Sequence, residues 1–132
     1  MMVLLSPSET RFLASNECCR LATCDENRPH VVPVSYLFYK DCIYISTDYN
    51  TKKFINIKKN PCICLVVDYY LPGSNKGLVL NGEATIVENG KKYCEIYKLF
   101  YTSFKWVRDD PWEEEEAPFL EIHFNSKSSW GL

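Results

Sequence analysis

The chain has 132 residues, 46% of them hydrophobic and 24% charged, with a formal net charge of −2. That length fits one domain with its own core, and the many aromatic and β-branched residues favour a sheet over a helical bundle. A slightly acidic balance is a poor match for a phosphate backbone, and no run reaches the roughly 18 apolar residues of a membrane span, so neither nucleic acid nor membrane is an expected partner.

The apolar start MMVLL meets Ser6, Pro7, Ser8 and Glu9 at once, too short a run for the apolar region of a secretion signal, and a cytoplasmic location is expected. Ser6 or Ser8 can cap a short helix over Glu9 to Ser15, with Phe12 and Leu13 as its buried contacts. Cys19 to Cys24 reads as a strand. A polar turn over Asp25 to Pro29 leads into a second strand, His30 to Tyr39, which returns along the first. Pro33 has no N–H to give a ladder, so it requires an edge, a bulge or a ligand lying against the backbone. Lys40 and Asp41 turn the chain into a third strand, Cys42 to Thr47.

Asp48-Tyr49-Asn50 then leads to a helix from about Thr51 to Lys59, capped by Asn50 or Thr51 and stopped by Asn60-Pro61. Lys52 and Lys53 stand in its first turn, where the positive end of the helix dipole disfavours a cation. An anion at the helix start would reverse that penalty, because amides, a hydroxyl and two ammonium groups would converge on it. Ordinary solvated lysines on a surface helix are the competing reading.

Cys62 to Tyr69 forms a fourth strand, and the loop Leu71 to Gly77 leads to a fifth, Leu78 to Glu88, with legible alternation. Asn89-Gly90 turns the chain into the longest helical candidate, Lys91 to Val107, whose Tyr93, Ile96, Tyr97, Phe100 and Phe104 make an aromatic stripe. The acidic run Glu113 to Glu116 reads as a solvated loop. Phe119 to Phe124 is a last strand, and Trp130 stands in a polar tail. Short links between strands fit a small closed or partly closed antiparallel barrel, a single domain over residues 1–132 with helices at its periphery.

Chemistry-bearing motifs are sparse. The seven cysteines are odd in number and form no C-x2-C pair, so reduced thiols and no metal site are expected. His30 and His123 lie on separate strands and read as structural histidines. A Cys–His nucleophile has no support beyond the presence of both residue types. No catalytic residue can be named.

One ordered set of segments is more specific. Arg11-Phe12-Leu13-Ala14, Leu21-Ala22-Thr23, Arg28 to Val34, Tyr44 to Thr47, Thr51-Lys52-Lys53, Asn56-Ile57, Asn60-Pro61 and the tail Ser129-Trp130-Gly131 follow one another as in the pyridoxamine 5′-phosphate oxidase-like family of FMN-binding split barrels. The resemblance implies a six-stranded Greek-key split barrel and a homodimer with FMN bound across the subunit interface. By similarity, Thr51, Lys52 and Lys53 would hold the flavin phosphate, with Ser46 and Thr47 beside them. His30 would face the flavin, the strand through Val32, Pro33 and Val34 would pass its ring, and Trp130 would pack near it from one subunit or the other.

The resemblance also has departures. Lys52 stands where the oxidase proper has arginine, which replaces a bidentate fork by a point charge. No late Arg/His segment for a substrate phosphate is found. The expectation is therefore an FMN-dependent oxidoreductase or flavin reductase acting on a small molecule, with a nicotinamide or another reductant. A non-catalytic flavin carrier and a reductase using the deazaflavin F420 are the alternatives, since each would use the same phosphate site.

Overall fold

The structure is a computed structural model describing residues 3–132; Met1 and Met2, which open the MMVLL start weighed above against a secretion signal, lie outside the described residues. The elements run α1 (Pro7–Ser15), β1 (Cys18–Asp25), β2 (Arg28–Ser35), β3 (Leu37–Tyr39), β4 (Cys42–Ser46), α2 (Lys52–Lys59), β5 (Cys62–Tyr69), β6 (Lys76–Val87), α3 (Gly90–Ser103), α4 (Lys105–Asp109) and β7 (Phe119–Trp130). Among the described residues, no helix is long and apolar enough to cross a membrane.

The strands form one seven-stranded sheet in the order β2-β1-β5-β6-β7-β4-β3, and every pairing is antiparallel. Its two end strands, β2 and β3, are consecutive in the chain with only Tyr36 between them. The sheet must therefore curl until its ends meet at that residue, and β2 does come against β4. The result is the expected split barrel. Its seven strands are the expected six with His30 to Tyr39 divided at Tyr36. Tyr36 leaves the ladder because its N–H donates to the Glu17 carbonyl at 2.9 Å and its hydroxyl to the Leu13 carbonyl at 2.6 Å.

The first hairpin is tighter than the sequence suggested, and the second turns at Lys40 and Asp41 as expected. Glu26 and Asn27 take φ of 48° and 65°, and Lys40 and Asp41 take 49° and 63°, the paired left-handed conformations that match strand twist in two-residue turns. Pro29, expected in the turn, is thereby drawn into β2 opposite Cys24. It is tolerated there, like Pro33 opposite Arg20, because β2 ends the sheet order and pairs only with β1.

Strand alternation sends Leu21, Ile43, Ile45, Leu65, Leu78, Leu80 and Ile122 into the barrel, where all are essentially inaccessible. A second, aromatic cluster fills the space between α3 and the outer face of β4 and β7, with Tyr44, Tyr93, Phe100, Phe104 and Phe119 at its centre. The expected single helix Lys91 to Val107 breaks here. Phe104 is extended (φ −121°, ψ 120°) and serves as the last cap of α3 and the first of α4. The bend places its ring 5.4 Å from that of Phe100, and Arg108 donates to the carbonyls of Tyr101 and Thr102 that the broken helix leaves free.

The last strand also runs beyond its expected end at Phe124. Past a register shift at Asn81/Gly82, the polar stretch from Ser126 to Trp130 continues to pair with β6. A ladder requires only backbone groups, so a segment without apolar alternation can still extend it.

Candidate functional site

The end of β4 and the start of α2 build a polar corner of the molecule. Ser46 ends β4, and the Thr47 N–H donates to the Pro118 carbonyl at 3.2 Å, fixing where the chain leaves the sheet. The Thr47 and Thr51 hydroxyls lie 2.8 Å apart. Thr51 caps α2: its hydroxyl donates to the Asp48 carbonyl at 2.9 Å and accepts from the Phe54 amide at 3.4 Å. The amides of Lys52 and Lys53, the first two in the helix, have no acceptor among the described residues.

Helix α2 buries Phe54, Asn56 and Ile57 against the barrel, and the Asn56 amide donates to the Thr23 hydroxyl at 3.0 Å. That anchoring fixes which way Lys53 faces. It is half-buried, and burial lowers its pKa from the ordinary lysine value while nearby Asp48 opposes the change. Among the described residues its ammonium has no ion-pair or hydrogen-bond partner. Lys52 is exposed.

Lys53, Ser46, Thr47 and Asp48 line one wall of a cleft of about 430 Å³. Opposite stand Trp106 from α4 and Asp110, Pro111, Trp112 and Glu116 from the loop after it. The Trp106 and Trp112 rings lie 6.3 Å apart and nearly parallel at 16°, and the Trp112 indole N–H donates to the Tyr93 hydroxyl at 2.7 Å. This aromatic wall was missed from the sequence, where Asp109 to Glu116 had no assigned role. Trp106 and Trp112 in so polar a stretch were the available signal.

The expected site residues fall into two groups. Ser46, Thr47, Thr51 and Lys53 are brought together, with Lys52 beside them. His30, Val32, Pro33 and Val34 lie along the edge strand β2, and none of them lines this cleft. Buried His30 Nδ1 has no hydrogen-bond partner among the described residues. Trp130 sits at the far end of β7 from Phe119, the partner of Ser46, with its ring over Gly77 of the neighbouring strand. The structure also gathers a donor set that the sequence reading had set aside: Cys42, Glu121 and His123 offer ligand-type atoms within 4.8 Å of one another.

A curled antiparallel sheet with its split at Tyr36 and a basic helix start beside β4 defines a split-barrel protein. The family model described as pyridoxamine 5′-phosphate oxidase matches residues 6–126. The chain belongs to that family. A Schizosaccharomyces pombe protein described as a pyridoxamine 5′-phosphate oxidase homolog is 26% identical, the match covering 88% of this chain and 80% of the relative. Among solved structures, the haem storage protein HutZ of Vibrio cholerae superposes with a TM-score of 0.81 at 16% identity, covering 96% of this chain and 94% of the other. An FAD-binding protein of Mesorhizobium loti superposes with a TM-score of 0.79 at 22% identity, covering 95% and 94%. At these identities the structural likeness concerns the fold, which is one that flavoproteins use.

Proposed function

We propose that the protein is an FMN-dependent oxidoreductase or flavin reductase that holds the flavin phosphate at the start of α2 and works as a homodimer on a small molecule, with a nicotinamide or another reductant. The observation that carries this reading is Lys53: a half-buried cation without a partner among the described residues, beside the hydroxyls of Ser46 and Thr47 and two free helix amides. A phosphate dianion supplies what that arrangement lacks, acceptors for the amides and a countercharge for the ammonium. Burial lowers the proton affinity of Lys53, and a bound anion would raise it again. Asp48, Asp110 and Glu116 in the same cleft confine favourable anion binding to the helix start.

When bound, FMN would supply two-electron redox chemistry at its ring. The chain's part is to position and to shield. Lys53 and the first amides of α2 would hold the phosphate, with Lys52 adding its charge from the exposed side, Ser46 and Thr47 would offer hydroxyls next to it, and the Trp106–Trp112 wall would limit water. The unpaired edge of β2 supports a second copy completing the site, because His30, Pro33 and Trp130 stand away from the cleft within one protomer and would reach a flavin only across an interface.

The test is titration of the purified protein with FMN, followed by flavin fluorescence, with the copurified chromophore identified by mass. FMN is expected, and Lys53→Ala should weaken its binding by about 1.5–3 kcal/mol, the scale of a hydrogen bond to a charged group. Unchanged affinity in the variant would move the phosphate elsewhere. Release of haem or F420 instead would overturn the assignment.

A further inference from the structure

At the opposite end of β4 from Ser46, on the outer face of the barrel, three side chains form a relay that the flavin site does not use. Ile43 pairs with Ile122 across β4 and β7, which sets Cys42 beside His123. Alternation along each strand puts Cys42 and Tyr44 on one face of β4, and Glu121 and His123 on one face of β7. Cys42 Sγ lies 3.5 Å from His123 Nδ1, and His123 Nε2 lies 2.9 Å from Glu121 Oε1. The other carboxylate oxygen, Oε2, accepts from the Tyr44 hydroxyl at 2.7 Å and from the Lys92 ammonium at 2.7 Å.

These contacts fix the chemistry of each member. Burial pushes the Glu121 carboxyl up, but hydrogen bonds from Lys92, Tyr44 and His123 outweigh it and hold the group at about 2, so it is ionised and can only accept. In the neutral imidazole the proton must then sit on Nε2. Nδ1 presents its lone pair to the Cys42 thiol. Both ring nitrogens are thereby engaged, one by the thiol and one by the carboxylate, although ligand-type atoms of the three residues also lie within 4.8 Å of one another. Zinc is the competing occupant of the same three groups. Thiol, base and base-orienting carboxylate in this order are the arrangement of an activated nucleophile.

We propose that Cys42 is a nucleophilic thiol that exchanges with small cationic disulfides, with His123 as its base and Glu121 as the residue that positions His123. The Cys42 side chain lines a cleft of about 560 Å³ together with Lys40, Asp41, Glu83, Phe124 and Asn125. Lys40 is 3.5 Å from the Glu95 carboxylate, which offsets its charge and leaves Asp41 and Glu83 to set the field in the cleft. Two carboxylates oppose the oxyanion of an acyl transfer and favour a ligand bearing ammonium groups. Disulfide exchange develops its charge on a departing thiolate, which His123 can protonate.

The step balances without a further reactant. Burial and the Glu121 charge raise the Cys42 pKa, so the resting thiol is protonated and its proton passes to His123 Nδ1 as the disulfide arrives. The Cys42 sulfur attacks one sulfur of R–S–S–R, the old S–S bond breaks, and a Cys42–S–S–R bond forms. The leaving thiolate takes the proton from His123 and departs as R–SH.

The test treats the reduced full-length protein with cystamine, a dication, or dithiodiglycolate, a dianion, and measures mixed-disulfide formation at each cysteine by peptide mapping. Exposed Cys18, Cys62 and Cys94 serve as controls for reactivity, and buried Cys19, which reacts only when the chain unfolds, serves as the control for folding. Cys42, although buried, should react with cystamine at least as fast as the exposed controls and about fivefold faster than with dithiodiglycolate, the effect of roughly 1 kcal/mol of charge interaction. His123→Gly should slow Cys42 alone by about a hundredfold, the low end of general-base catalysis, and added imidazole should restore the rate. Glu121→Gln should abolish the preference for the Nε2–H tautomer in the ¹⁵N spectrum of His123; a conserved tautomer would remove Glu121 from the relay. An unchanged Cys42 rate in His123→Gly, a loss that imidazole does not restore, or stoichiometric zinc retained through Cys42 would each overturn the nucleophile. Equal rates with the two disulfides would overturn the cationic preference.

Discussion

Lys52 and Lys53 are neighbours with the same charge, yet the fold gives them different tasks. Lys53 is half-buried in the cleft, while Lys52 is exposed, where water and salt screen its field. Lys52→Ala should therefore weaken FMN binding by less than about 1 kcal/mol, clearly less than Lys53→Ala, and its effect should shrink as salt is raised in the same titration. Equal losses would mean that both ammonium groups contact the phosphate directly. Thr51 has a different role again, because its hydroxyl is committed to the Phe54 amide and the Asp48 carbonyl. Thr51→Ala should lower the stability of the protein without ligand by about 1 kcal/mol, the usual value of a lost cap, measured by urea denaturation. Thr47→Val removes the 2.8 Å contact to the Thr51 hydroxyl and leaves that hydroxyl with the Phe54 amide and the Asp48 carbonyl, so comparing the two variants separates the cap from the proposed phosphate site.

Among the elements, β6 and β7 show most clearly what a sequence pattern conveys and what it hides. At their register shift a Cβ on Gly82 would run into the His123 carbonyl oxygen and the Phe124 backbone. Backbone cannot step aside as a flexible side chain can, so Gly82→Ala should destabilise the protein by about 1–3 kcal/mol, the range for overpacking, read as a lower urea midpoint. Strand β6 was legible because Leu80, Gly82 and Ala84 alternate with Asn81, Glu83 and Thr85, and helix α2 was legible because Thr51 offers a capping hydroxyl at its start and Asn60-Pro61 stops it. The extension of β7 to Trp130 was not, since its polar residues are paired through backbone alone. Nor was the break at Phe104, where local helix propensity yields to the gain from packing that ring against Phe100. The Cys42–His123–Glu121 relay joins β4 to β7 through long-range pairing, and no local spacing announces such a contact.

For the molecule as a whole, two buried carboxylates pin the peripheral helices to the barrel. Glu9 completes the capping box of α1 with Ser6 and also accepts from Lys127 at 2.6 Å and Ser129 at 2.7 Å on β7. Glu121 ties β7 to α3 through Lys92. The Lys127 hydrogen bond leads the effects that lower the Glu9 pKa to about 2 from an ordinary value of 4.5, and Glu121 reaches about 2 despite its burial. Between those values the unfolded chain binds more protons than the folded one, so folding stability rises with pH across that window. The stabilisation is complete above about 4.5 and is lost as pH falls towards about 2. The urea midpoint should accordingly be flat, as far as these two groups are concerned, above about pH 5 and should drop steeply below it. Glu9→Gln keeps the shape but not the charge facing Lys127, so it should cost roughly 1–3 kcal/mol at neutral pH and make the acid slope shallower. A variant that loses stability at neutral pH yet keeps the full acid slope would show that Glu9 acts through packing and that the proton linkage resides elsewhere. If both Glu9→Gln and Lys127→Met flatten the slope to the same degree, the ion pair between α1 and β7 is the unit that titrates.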